Sequence, residues 1–190
     1  MKTLFFLFAI SFTFSAIAQD QTAIINDRQT LSWIGKAAVG SYAPEGTLEI
    51  KSAEMFFSSE SIATLNIVVD MPSLEQENRQ LRDHLRDEDF FHVQAYPEAR
   101  FTLNKPAKIE DGTAVLEGDM TIRGVTHPER ITATISISDT GLALEFTHTM
   151  DRTRYGVNHN SPSIFKRLKE NAIADDFILK GRLVFRNKNN

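Results

Sequence analysis

Two stretches of this 190-residue chain hold residues able to do acid–base or metal chemistry. In the first, His84, Glu88 and His92 recur every four residues, the interval that stacks side chains on one face of an α-helix. Two imidazoles and a carboxylate so placed suit zinc. That spacing also arises readily by chance, and the apolar pair Phe90–Phe91 interrupts the segment, so no metal site is expected. The adjoining acids Asp87, Glu88 and Asp89 read as a solvated helix end, since runs of like charge face water. In the second stretch His148 falls in step with apolar neighbours and is followed by Arg152 and Arg154. Two readings stand for His148: a neutral core histidine bonded to backbone, or a polar group at one end of a cavity. The arginines could grip an anion in bidentate fashion or clamp a loop through Asp151, Asp175 or Asp176.

No other constellation points to catalysis. The chain has no cysteine, hence no thiolate nucleophile, no disulfide framework and no cysteine-based metal site. It has no G-x-S-x-G elbow, no H-E-x-x-H and no glycine-rich phosphate loop after a strand. A net charge of −4 gives no electrostatic footprint for nucleic acid. The expectation is a protein without enzymatic activity, metal or cofactor.

The elements that would position these residues alternate with period 2. Leu31, Trp33 and Gly35 share one face; Ala63, Leu65, Ile67, Val69 and Met71 share another. The same pattern recurs in Ala99, Phe101 and Leu103, then in Ala114, Leu116, Gly118, Met120 and Ile122. Ile131, Ala133, Ile135 and Ile137 follow, then Leu142, Leu144, Phe146, His148 and Met150, and last Phe177, Leu179, Gly181, Leu183 and Phe185. Short turns such as Asp139-Thr140-Gly141 join them, which predicts an all-β antiparallel meander, sandwich or barrel. One helix is predicted over Glu75–Asp89 with Ser73 as its cap, after a strand that Pro72 ends. A long irregular stretch, Asp151–Asp176, has the length of a cap or functional loop, with a short helix over Phe165–Ala174. Inward Gly118 and Gly181 would leave space, and inward methionines would soften the lining.

Ahead of all this, Lys2, the apolar run Leu4–Phe14 and Ala16-Ile17-Ala18 form a secretory leader, residues 1–18. The run is too short for the roughly 20 residues that span a bilayer. Residues 19–190 are then one exported domain.

Six blocks in fixed order carry a family resemblance: SWIGK at Ser32–Lys36, VDMPS at Val69–Ser73, HLRDEDFF…YPEARF at His84–Phe101, GDMTIRGVTHP at Gly118–Pro128, DRTRYGV at Asp151–Val157 and IADDFILKGRL at Ile173–Leu183. Together they resemble the YceI-like family of small periplasmic proteins. The resemblance implies an eight-stranded, lipocalin-like antiparallel barrel with one helix and a long capping loop. It also implies a long-chain polyisoprenoid or quinone-like lipid as interior ligand, a periplasmic location, and a homodimer as an admissible state. Combined with the inward faces, it puts that lipid against Trp33, Leu65, Ile67, Val69, Met71, Phe90, Phe91, Phe101, Leu116, Met120, Ile122, Ile135, Leu144, Phe146, His148, Phe177 and Leu179. The His84–Phe101 corner and the Asp151–Asp176 stretch would close the mouth. At about 0.8 kcal/mol per buried CH₂, roughly three or four isoprene units outweigh the 4–15 kcal/mol cost of association.

Overall fold

The computed structural model describes residues 21–25, 29–165 and 172–187; the leader and most of the short helix expected over Phe165–Ala174 lie outside them. In chain order the strands are β1 (Gln21–Ile25), β2 (Thr30–Ile34), β3 (Glu45–Phe57), β4 (Ser61–Gln76), β5 (Glu98–Leu103), β6 (Ala107–Glu110), β7 (Thr113–Ile122), β8 (Val125–Ser138), β9 (Gly141–Asp151) and β10 (Asp176–Asn187). They form one closed antiparallel circuit, β2-β3-β4-β5-β7-β8-β9-β10 and back to β2. Two positions in this eight-stranded barrel are each filled by a pair of short strands. β1 continues β2 between β3 and β10, and β6 continues β5 between β4 and β7. The fold is the expected all-β barrel, in which every strand is paired on both sides over at least part of its length.

The helix is shorter than the charge pattern predicts. α1 spans Arg79–Arg86, and its cap is Asn78, whose side chain accepts the N–H of Leu81 at 3.1 Å. Ser73 does other work. Strand β4 runs on through Pro72, where the register jumps from Glu49↔Asp70 to Thr47↔Glu75. Inside this bulge proline has no ladder bond to lose, and Ser73 Oγ accepts the free N–H of Glu49 at 2.7 Å. At the other end, Asp87, Glu88 and Asp89 oppose the negative C-terminal pole of a helix. The helix stops at Arg86, ahead of them.

The barrel interior has a packed half and a hollow half. Met55, Phe57, Ile62, Leu65, Leu142 and Phe185, at most 2% exposed, fill the end nearest the β8–β9 turn. Toward the other end the inward side chains stop short of one another, and α1 lies across the opening. Leu85 of α1 packs there with Trp33, Leu74, Phe90 and Val157 as a second apolar cluster.

Three inward glycines keep the wall thin. Gly46 faces Trp33 in register, Gly181 faces Phe146, and Gly118 lies under the ring of Phe101. The glycines therefore do not simply leave space, as alternation suggested. Each lets a neighbouring aromatic lie against the backbone, the arrangement by which aromatics stabilise glycine in sheets. The three atoms nearest a Cβ at Gly181 all belong to the Phe146 ring, a side chain, whereas one at Gly46 would collide with the Glu75 carbonyl oxygen as well as the indole. Gly181→Ala is expected to lower stability by about 1–3 kcal/mol. Gly46→Ala is expected to lose more, because backbone must move. Urea denaturation of the two variants checks the order, and equal losses would contradict it.

Candidate functional site

The hollow half is a cavity of about 320 Å³, within the roughly 300–1,000 Å³ of ligand pockets. Its wall is almost wholly apolar. Leu48 and Ile50 from β3, Ile67, Val69 and Met71 from β4, and Ala99 and Phe101 from β5 form one side. Leu116, Met120 and Ile122 from β7, Ile131 from β8, Leu144 and Phe146 from β9, and Phe177, Leu179 and Leu183 from β10 form the other. Trp33, Leu74, Leu81, Leu85, Phe90 and Phe91 close the end under α1, and Lys36, Tyr42, Pro44, Ala172, Ile173 and Asp176 make the rim.

Of the residues expected against a ligand, all but three lie on this wall. Leu65 and Ile135 are inward but belong to the packed half, a depth along the barrel that alternation does not encode. His148 is the third. The β8–β9 ladder ends at Ala133↔Phe146, while β8 stays paired to β7 and β9 to β10 beyond that point. The two strands therefore diverge, and a polar group fills the wedge. His148 Nε2 lies 3.1 Å from Glu129 Oε2. Arg154 Nη1 and Tyr155 Oη both donate to Glu129 Oε1 at 2.8 Å, and His127 Nε2 donates to the Arg154 carbonyl. Burial first, then the Glu129 carboxylate, pushes the Tyr155 hydroxyl well above its ordinary range. Neither reading of His148 matches this. It pairs with a carboxylate, away from the cavity wall. Met150, inward by alternation, is core as well.

The end closure rests on Arg152. This guanidinium is 4% exposed and donates from Nε to Ala174 O at 3.0 Å, from Nη1 to Val157 O at 2.6 Å and from Nη2 to Ile173 O at 2.9 Å. Burial lowers its pKa, against the opposing charges of Asp175 and Asp151. It also stands 5.7 Å from the centre of the Phe90 ring, a cation–π distance. Of the two sequence readings for the arginines, Arg152 has the geometry of the loop clamp. A second clamp, Arg123 at the tip of the β7–β8 turn, donates to the carbonyls of Gly156 and Glu88. The sequence offers Arg152 as a clamp through nearby acids, whereas its hydrogen bonds go to carbonyls, and it misses Arg123, because a clamp's partners are defined by what lies across from it.

His84, Glu88 and His92 do not converge. α1 ends before Glu88, and His92 has left-handed backbone (φ 47°) and packs on Tyr96. His84 instead meets His159, ring centres 4.7 Å apart, with Phe90 against both. Among the described residues no group of three metal-ligating side chains occurs. Burial, then the facing His84, lowers the His159 pKa below 6.5; Asp89, 3.8 Å away, opposes this and Arg152 adds to it. A histidine held below its unfolded pKa makes the unfolded state the stronger proton binder. Stability is then fullest above about pH 6.5 and falls as pH drops toward the folded-state value. Thermal melts from pH 7.5 to 5 should show this fall, and His159→Asn should flatten it; an unchanged slope in the variant would remove His159 as its source.

Known proteins share this architecture. Residues 23–185 match the model of the YceI-like domain. UPF0312 proteins of Photorhabdus laumondii and Vibrio campbellii are 38% identical over 64 residues and 33% identical over 91 residues. Those stretches cover 34% and 47% of this chain, but only 33% and 48% of the relatives' own length. In three dimensions the chain is similar to BcnA of Burkholderia cenocepacia, with TM-score 0.71 and 18% identity over 84% of this chain and 98% of that one. It is also similar to a polyisoprenoid-binding domain from Saccharophagus degradans, with TM-score 0.66 and 11% identity over 89% of this chain and 99% of that one. At these identities the structural likeness establishes the fold.

Proposed function

The chain belongs to the YceI-like domain family, and on that premise we propose that it binds one long apolar lipid, a polyisoprenoid or quinone-like chain, inside its barrel. It does so in the periplasm, after export and loss of residues 1–18, to carry, store or protect the lipid, and without catalysing a reaction. The observation that carries this reading is the cavity itself, an apolar hollow within a closed barrel, lined by rings lying flat on glycines. A solid barrel would have gained stability by filling that space, since voids cost packing energy. An unbranched or methyl-branched hydrocarbon needs no polar partner and fits such a wall. The Saccharophagus domain's polyisoprenoid binding supports the choice of chain.

The test is mass spectrometry of organic extracts from protein purified natively from its own periplasm. A stoichiometric isoprenoid or quinone is expected. Protein recovered without lipid, in a tightly packed empty form, would point to an envelope interaction protein instead.

A catalytic role built on His148 would use the pair it forms with Glu129. A catalytic group must reach the bound substrate, and neither residue is on the cavity wall. His148→Ala is expected to leave lipid affinity unchanged while lowering stability by about 1.5–3 kcal/mol, the loss of one bond to a charged group. Lost lipid turnover with intact lipid binding in that variant would revive the enzyme reading.

A further inference from the structure

The cavity is open at one end and blind at the other. Its exposed lining residues, Lys36, Tyr42 and Asp176, all stand at the rim. At the opposite end the wall stops at one level on strand after strand. On β4 the last wall residue is Ile67 and the next inward side chain is Leu65; on β7 they are Leu116 and Ala114. On β9 they are Leu144 and Leu142, and on β10 Leu183 and Phe185. The ladder pairs Leu144 with Leu183 and Leu142 with Phe185, so wall and floor are successive layers across neighbouring strands. Leu65, Ala114, Leu142 and Phe185 are each 1% exposed and belong to one packed cluster.

Few side chains carry that floor. Ala114 faces Ala133 across the β7–β8 ladder, and this pair adds little bulk. Leu65, Leu142 and Phe185 fill the layer instead, with Met55 opposite Leu65 in register. Above them, the β10 part of the wall runs from Phe177 to Leu183. At about 3.3 Å per residue and a strand tilt of about 40°, this is roughly 15 Å along the barrel axis. An extended carbon chain advances about 1.25 Å per bond, given bonds of ~1.5 Å at ~111°, so the four bonds of one isoprene unit span about 5 Å. Two residues of a tilted strand, one inward layer of the barrel, also rise about 5 Å. The hollow half therefore has the depth of about three isoprene units, and one further layer would add about one more.

Resting on the reading that this cavity holds an apolar chain, we propose that the floor formed by Leu65, Leu142 and Phe185 is a depth stop that sets how much of the chain the protein encloses. The hydrocarbon end reaches the floor, about three isoprene units lie inside, and the remainder leaves through the rim. The hydrocarbon end leads because Arg152, the buried charge on the wall, has Nε, Nη1 and Nη2 committed to backbone carbonyls, while the exposed polar side chains stand at the rim. Selection by length follows, since units that stay outside bury little further surface.

The experiment is a length series of prenyl alcohols with one head group: geraniol, farnesol, geranylgeraniol and geranylfarnesol, of two to five units. Each displaces N-phenyl-1-naphthylamine from the purified, delipidated protein. Affinity is expected to rise at least about tenfold from two units to three, as CH₂ groups are buried, and by less than about threefold for each unit after that. Ile131, the last wall residue of β8, stands just above Ala133 of the packed half. Ile131→Phe puts a ring into the hollow there and should move the break to two units. Leu65→Ala cuts into the floor and should let the fourth unit add at least about fivefold. The Ile131 variant fills space and leaves the core intact, so it reads the stop even where the Leu65 variant fails to fold. Affinity that climbs steadily through five units, or a break that stays at three units in Ile131→Phe or in folded Leu65→Ala, would overturn the depth stop while leaving apolar binding intact. Binding of none of the four alcohols would overturn the reading on which it rests.

Discussion

The hollow barrel depends on one buried cation. A closed eight-stranded sheet pairs most of its own backbone, but the loops that cap it bring carbonyls into a buried or half-buried place. Arg152 answers three of them at once, on Val157, Ile173 and Ala174. Leaving such acceptors unpaired costs on the order of 1–3 kcal/mol apiece. The guanidinium suits the task because its fork of donors is rigid and it stays charged even where burial lowers its pKa. The same group leans on Phe90, which in turn packs with His84, His159 and the α1 side chain Leu85. Cap, corner and helix are thus anchored through one residue.

Holding the end in place polarly frees the interior from having to fill itself. The packed half supplies the dense apolar contact that the fold needs, and the hollow half is kept open by shape. Trp33, Phe101 and Phe146 present ring faces to the cavity because Gly46, Gly118 and Gly181 give them room to lie back. Each ring keeps its own contact with the wall, so the space between them does not require further side chains to stabilise it.

Where β8 and β9 part, apolar packing gives way to a carboxylate held by Arg154, Tyr155 and His148. Glu129 is nearly buried, with its side chain 8% exposed, and its partners satisfy both oxygens. This wedge does what ladder hydrogen bonds do elsewhere in the barrel. It also explains why a histidine sits in step with an apolar face without touching the cavity.

Much was legible in the residues alone, and for definite reasons. Side chains alternate across a strand whatever the strand packs against, so the inward faces of β7, β10 and, from Leu65 to Met71, β4 could be read directly, and most of the cavity wall with them; ahead of Leu65 a register shift buries Ile62 in place of Ala63. Ordered sequence blocks identified the barrel that alternation left open between barrel and sandwich. Depth along the barrel was not legible, which is why Leu65, Ile135 and Met150 fell in the core and not on the wall. Nor was anything that depends on a partner distant in sequence: Glu129 under His148, the carbonyls around Arg152, or Ser73 serving a strand bulge instead of a helix start. Local pattern determines which way a side chain points. Only the closed sheet, by fixing where strands diverge and which loops meet over its end, decides what that side chain finds there.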